Sequence, residues 1–156
     1  MSNEIKTAIV TGASRGIGAA IARELAADGF QTVVNYAASA AQAEEVVAAI
    51  ATAGGRALAL HADVSDPQAV ADLFERTEAE FGTVEVLVNN AGVTTFGPLS
   101  DVSDEDYHRL VAVNLTGTFN GMREGARRLR DGASYHQSLH QHHRALFAGQ
   151  CRLRGD

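Results

Sequence analysis

The sequence predicts an α/β protein, a parallel sheet wound on both faces by helices. Three observations carry this. Short apolar runs alternate with segments of helical period through residues 5–130. The first run, Thr7-Ala8-Ile9-Val10, feeds a glycine-rich turn, Thr-Gly-Ala-Ser-Arg-Gly-Ile-Gly over residues 11–18, that opens a helix. The fourth run, Val84 to Val88, is almost continuously apolar, as a strand covered on both faces must be.

Strand one covers about residues 5–10. The first helix runs to about residue 28, with Ile17, Ile21 and Leu25 on one face and Gly29 just past its end. Strand two is Gln31 to Asn35, with Val33 and Val34 buried. The second helix spans roughly 40–53, with Val46, Val47 and Ile50 as its apolar stripe, and Gly54-Gly55 stops it. Strand three is Arg56 to His61. Asp66-Pro67 then reads as an N-cap followed by proline at the first helical position, with Val70, Leu73, Phe74 and Phe81 facing inward. After strand four, Ser103-Asp104-Glu105-Asp106 resembles a capping box. It opens a long helix to about Arg130, whose predicted inward side is Leu110, Val111, Leu115, Phe119 and Met122. Gly117, Gly121 and Gly125, four residues apart, suit close approach of this helix to the sheet. Right-handed crossovers give the strand order 3-2-1-4. The predicted fold is thus a three-layer, Rossmann-type doubly wound parallel sheet, incomplete because the later strands are missing.

Composition divides the chain. Residues 1–132 carry ten Lys/Arg against eighteen Asp/Glu, whereas residues 133–156 carry three Arg and one Asp. Four of the six histidines (His136, His140, His142, His143) and the single cysteine, Cys151, fall in the second stretch, which shows neither helical nor strand period. The expectation is an N-terminal dinucleotide-binding unit over 1–132 and a non-native, disordered tail over 133–156. Net charge of −6 argues against nucleic acid or an anionic membrane as partner. No apolar stretch approaches membrane-spanning length, and Met1 to Lys6 is not a secretory signal. One cysteine excludes an intrachain disulfide, and a cytoplasmic setting is expected.

The chemistry-bearing residues gather at one edge of the sheet. Gly12, Gly16 and Gly18 let the backbone approach phosphate oxygens, while free N–H groups and the positive helix end hold the anion. Asp63-Val64 ends strand three, Asn89-Asn90-Ala91-Gly92 ends strand four, and Asn114 lies inside the long helix. All three strand ends share the carboxyl edge, where open α/β sheets bind ligands.

Together these residues resemble the short-chain dehydrogenase/reductase family, with its TGxxxGxG, NNAG and mid-helix Asn signatures, over about residues 4–132. Within it the chain is similar to 3-oxoacyl-acyl-carrier-protein reductases. By that resemblance Gly12, Ser14, Arg15, Gly16, Ile17 and Gly18 line the pyrophosphate and adenosine ribose, and Asp63 and Val64 contact the adenine. Asn90, Ala91 and Gly92 line the nicotinamide ribose. Asn89 ties loops together, and Asn114 is the active-site asparagine. Strand two ends in Asn35-Tyr36-Ala37-Ala38-Ser39, of which Asn35 is expected among the cofactor-binding residues, with no acid to repel a 2′-phosphate, and Arg15 is cationic. NADP(H) is therefore preferred, with NAD(H) the alternative. The resemblance implies a small carbonyl or alcohol substrate, reduced or oxidised by hydride transfer, and a homo-oligomer. No metal is expected. His136, His140 and His143 have helical metal-ligand spacing, but a change of reading frame explains them better.

The family's remaining machinery is a serine at the end of the next strand and a Tyr-x-x-x-Lys pair on the next helix. Here Tyr135 is followed four residues later by Leu139, and the sole lysine is Lys6. Residues 135–156 can be back-translated so that reading one base later gives Ile-Ile-Asn-Leu-Ser-Thr-Ser, then Ile-Ile-Gly-Arg-Ser-Leu-Pro-Gly-Ser-Ala-Ala-Tyr-Ala-Ala. That series resembles the missing strand, serine segment and start of the tyrosine helix. The expectation is a frameshift near residues 132–135 with early termination, leaving a chain without turnover. The alternative is a truncated nucleotide-binding module, or a fragment with no function.

Overall fold

The computed structural model describes residues 5–128 and 134–137. Five parallel strands, β1 (Thr7–Val10), β2 (Gln31–Tyr36), β3 (Arg56–His61), β4 (Val84–Asn89) and β5 (Ser134–Gln137), form one sheet in the order β3-β2-β1-β4-β5. The connecting helices are α1 (Gly16–Ala27), α2 (Ala40–Thr52), α3 (Pro67–Phe81), α4 (Asp104–Val111) and α5 (Gly117–Arg128). A short 3-10 turn, Leu99–Asp101, precedes α4, and a π-helical turn, Ala112–Thr116, separates α4 from α5.

Strand register explains the two layers of helices. Leu58, Val33, Ile9 and Leu87 lie side by side across the sheet, as do Ala59, Val34, Val10 and Val88. Neighbours along a strand point to opposite faces. The first row packs with Val70, Leu73 and Phe74 of α3. The second packs with Ala19, Ala22 and Ala26 of α1 and Ala43, Val46 and Ile50 of α2. Every residue of β1 is buried, because the strand is central and covered twice. The expected order 3-2-1-4 is present.

Three expectations are corrected. First, a fifth strand extends the sheet. Ser134–Gln137 pairs in parallel with Val86–Asn89, inside the stretch assigned to a disordered tail. Main-chain hydrogen bonding along the open edge of β4 needs no side-chain pattern, so the absence of apolar alternation did not forbid it. Residues 138–156, with Leu139, His140, His142, His143 and Cys151, lie outside the described residues; His136 is exposed on β5.

Second, the long helix is divided, and its inward face is not the apolar stripe. Leu115, Phe119 and Met122 are exposed, while Gly117, Asn120, Gly121, Glu124 and Gly125 are buried. A Cβ on Gly117 would come within 2.6 Å of Val64 Cγ2, and one on Gly121 would collide with Asn89 Oδ1. The helix therefore lies closer to the sheet than any large side chain would allow. Third, Ile17 is 52 % exposed, and α1 buries Gly18, Ala19, Ala22 and Ala26 instead.

The helix-start signals are realised as read. Asp66 accepts from the Gln68 backbone N–H at 2.8 Å with Pro67 at the first helical position, and Ser103 accepts from Asp106 N–H at 3.1 Å. Each such cap stabilises its helix by about 1 kcal/mol. α5 is held against α3 by ions. Arg128 bridges Glu124 (3.1 Å), Glu78 (3.0 Å) and Glu75 (3.2 Å), and Arg127 bridges Glu124 at 2.8 Å. Burial opposes the Arg128 charge, but bonds to Glu124, Glu75 and Glu78 outweigh it and raise its pKa.

Candidate dinucleotide-binding site

A cleft of about 860 Å3 opens along the carboxyl edge of the sheet. Its wall comes from the turns after β1, β2, β3 and β4 together with one side of α4. It gathers Gly12, Ser14, Arg15, Gly16, Ile17, Asn35, Asp63, Val64, Asn90, Ala91 and Gly92, eleven of the thirteen predicted site residues. Gly18 and Asn114 adjoin the lining residues without lining the cleft themselves.

The floor is the β1–α1 turn. Gly12 has φ 61° and Gly16 φ 57°, backbone angles that favour glycine. At Gly12 sterics add to conformation, since a Cβ would sit 2.7 Å from Ala91 Cα. Gly18 plays a packing part: a Cβ there would run into the Asn90 amide and lie 2.6 Å from Gly12 O. The start of α1 faces the cleft without a side-chain cap, because Arg15 stands at the N-cap position and has no oxygen to offer. First-turn N–H groups have no partner within a helix, so this end is suited to an anion.

Asparagine amides fasten the rim. Asn90 donates to Thr11 O (2.9 Å) and Gly12 O (3.0 Å), while Thr11 Oγ1 accepts from the N–H groups of Asn90 and Ala91, both at 3.0 Å. The turns after β1 and β4 are thereby stitched together. Asn35 donates to Leu60 O (3.2 Å) and Ala62 O (3.1 Å) and accepts from Gly12 N–H (3.2 Å). Its amide thus joins the ends of β1, β2 and β3. Asn114 makes a two-bond clamp, accepting from Val93 N–H and donating to Val93 O, each at 2.8 Å. It stands 3.4 Å from where a Cβ on Gly92 would be. Asp63 Oδ1 accepts from Ser65 N–H (2.9 Å) and Ser65 Oγ (2.7 Å), closing the turn after β3.

Two polar features of the wall are not spent on fastening the rim. Asn90 Oδ1 is buried with no hydrogen-bond partner among the described residues. Arg15 is exposed, and the Ala37-Ala38-Ser39 wall beyond β2 brings no carboxylate. Sequence reading did not place in the site Thr94, Thr95 and Phe96, which continue the wall after Gly92, or Arg109 and Leu110 of α4 and Val113 of the π-helical turn, which form its far end. Leu110 could have been found from the helical stripe; the others carry no pattern. It also missed Asn120, whose amide reaches the loop after β3 from α5. Among the described residues, no group of three or more His, Cys, Asp or Glu could hold a metal ion. Nor is any described helix long and apolar enough to cross a membrane.

This arrangement has close counterparts. The family model for short chain dehydrogenases matches residues 6–134. The chain belongs to the short-chain dehydrogenase family. It is 47 % identical over 131 residues to an uncharacterized oxidoreductase of Methylorubrum extorquens, covering 84 % of this chain and 53 % of that protein. It is also 47 % identical over 127 residues to versicolorin reductase 1 of Aspergillus parasiticus, covering 81 % of this chain and 48 % of that one. Among solved structures, a short chain dehydrogenase from Burkholderia cenocepacia in complex with NADP superimposes with a TM-score of 0.81 at 42 % identity. That match covers 86 % of this chain and 56 % of the other. The chain spans about half the length of the curated relatives it matches. Nicotinamide-dinucleotide binding and oxidoreductase chemistry are thereby properties of its family.

Proposed function

We propose that this chain binds NADP(H) in preference to NAD(H) and derives from an enzyme that reduces carbonyls or oxidises alcohols. The observation that carries the cofactor preference is the pairing of exposed Arg15 with an Ala37-Ala38-Ser39 wall that brings no acid. A carboxylate at that wall would hold a ribose 2′-hydroxyl and repel a 2′-phosphate. The cleft fits a dinucleotide on its own evidence. Gly12 leaves a floor that a Cβ would fill, α1 begins without a side-chain acceptor, and Asn90 Oδ1 is an orphaned acceptor.

In this reading Gly12, Ser14, Gly16 and Ile17 hold the pyrophosphate and Arg15 faces the 2′-phosphate. Asp63 and Val64 flank the adenine, and Asn90, Ala91 and Gly92 flank the nicotinamide ribose. Asn35 and Gly18 act through the backbone they fix. Asn114 holds Val93 and so shapes the reacting end. A bound nicotinamide supplies hydride chemistry. Delivering a proton to a carbonyl oxygen requires a positioned acid. Tyr135 has Leu139 four residues on, and Lys6, the one lysine, lies ahead of β1. The 156-residue chain therefore holds nucleotide without turning over a ketone. Its ancestral substrate is a small carbonyl or alcohol, its setting the cytoplasm, and its exposed Leu115, Phe119 and Met122 suit a homo-oligomer.

Fluorescence titration with NADPH and NADH tests the binding, and tighter NADPH binding is expected. Ketone-dependent loss of NADPH absorbance tests turnover. A rate above that of a Gly12→Val preparation made identically would overturn the inactive reading. A second reading is favoured by the compositional break after residue 132. Here residues 1–132 are the start of a dinucleotide-binding domain and residues 133–156 are an out-of-frame translation. The coding DNA decides it: a gene without the alternative reading of the tail refutes the frameshift.

A further inference from the structure

We infer that Asn120 is a positioning residue for the adenosine half of the nucleotide, fixing the wall after β3 from the buried face of α5. The inference rests on the nucleotide-binding reading above. Asn120 is 2 % exposed, and its side-chain amide donates to Val64 O at 2.9 Å and Ser65 O at 3.4 Å. Those two carbonyls belong to the turn that lines the cleft beside Asp63. Gly117, three residues earlier on the same helix face, lies close against the Val64 side chain. The turn is thus gripped twice, by shape at Gly117 and by hydrogen bonds at Asn120.

The amide's own orientation is fixed from behind. Arg123 Nη2 donates to Asn120 Oδ1 at 3.2 Å, and the Arg123 guanidinium lies 5.1 Å from the centre of the Phe119 ring. With Oδ1 engaged by a cation, the Nδ2 donors must face the turn. One turn of chain before α5, Asn114 clamps Val93 on the opposite wall. A single helical element therefore holds both sides of the cleft, and Asn120 is the part of it that addresses the adenosine side. No atom of Asn120 lines the cleft, so its effect passes through Val64 and Ser65.

The test uses the full chain and two readouts. Asn120→Asp keeps the shape but turns a carboxylate oxygen toward two carbonyls, and Asn120→Ala removes the amide. Both are expected to weaken adenosine 2′,5′-bisphosphate and NADPH binding about tenfold, the size of a lost buried hydrogen bond. Amide hydrogen exchange of the nucleotide-free chain is expected to rise about tenfold in the peptide spanning residues 62–66, with β1 and β2 unchanged. Arg123→Gln, which leaves the Asn120 donors in place, is the milder variant and is expected to weaken binding about threefold. It decides the matter if both Asn120 variants fail to fold. Unaltered affinity with unaltered exchange at 62–66 in a folded variant overturns the inference, as does exchange that rises uniformly through the sheet. If the parent chain binds no nucleotide, the cofactor reading falls, while exchange at 62–66 still decides whether Asn120 fixes the turn.

Discussion

Helices α1 and α2 begin differently from α3 and α4. The latter two are closed by their own side chains, Asp66 and Ser103 each accepting from a first-turn N–H. The former two have no side-chain cap, with Arg15 and Ser39 at the capping positions, and both those residues line the cleft. Neither has an acidic residue in its first turn, whereas α4 has Asp104, Glu105 and Asp106. Helix ends of the same polarity are thus treated oppositely. At α3 and α4 the chain satisfies a first-turn donor with its own side chain; at α1 and α2 it supplies no such acceptor, and those ends are open to something anionic.

The contrast can be broken. Gly12→Val places a branched side chain at φ 61° and against Ala91 Cα. It is expected to abolish NADPH binding and to cost about 2–3 kcal/mol in denaturant unfolding. Ala38→Asp supplies the missing carboxylate at the open start of α2. It is expected to shift the ratio of NADPH to NADH affinity at least about tenfold toward NADH, by repelling the 2′-phosphate and engaging a 2′-hydroxyl; an unchanged ratio would remove the 2′-phosphate from that wall. Arg128→Ala strips three carboxylates of their shared cation, one of them the buried Glu124. A loss of about 2 kcal/mol is expected, against about 0.5 kcal/mol for the largely exposed Arg127. Asp66→Ala and Ser103→Ala sharpen the comparison from the closed side. Each is expected to lower stability by about 1 kcal/mol and leave nucleotide affinity unaltered. Equal losses of affinity at the closed and open helix starts would erase the distinction.

Much of the architecture is legible in the sequence itself. Strand order, the caps at Asp66 and Ser103, and the turn at Gly12 come from patterns that local chemistry enforces. The site residues are legible as a group because the carboxyl edge of a parallel sheet collects them. Their roles are less so. Asn35 and Asn90 stand among the predicted ligand contacts, yet their amide donors are spent on backbone carbonyls of the rim. An asparagine in a turn looks the same in sequence whichever way its amide points. Asn120 is invisible there because it lies off the stripe of large apolar residues, which in the fold faces outward. Hydrophobic period gives weight to Leu115, Phe119 and Met122 and none to the glycines that dock the helix. β5 is invisible for a different reason, since pairing with the backbone of β4 leaves no mark in the side-chain pattern.

The π-helical turn at Ala112–Thr116 has a geometric consequence for everything C-terminal to it. An α-helix advances about 100° per residue, so the surplus residue of a π-turn works as a gear, setting α5 out of phase with α4. Lengthening this segment by a single residue of ordinary helix would roll α5 by about 100°. Phe119 would then take the buried place of Asn120, and Asn120 that of Gly121, where even a Cβ would meet Asn89 Oδ1, and the two helices could no longer both keep their seats.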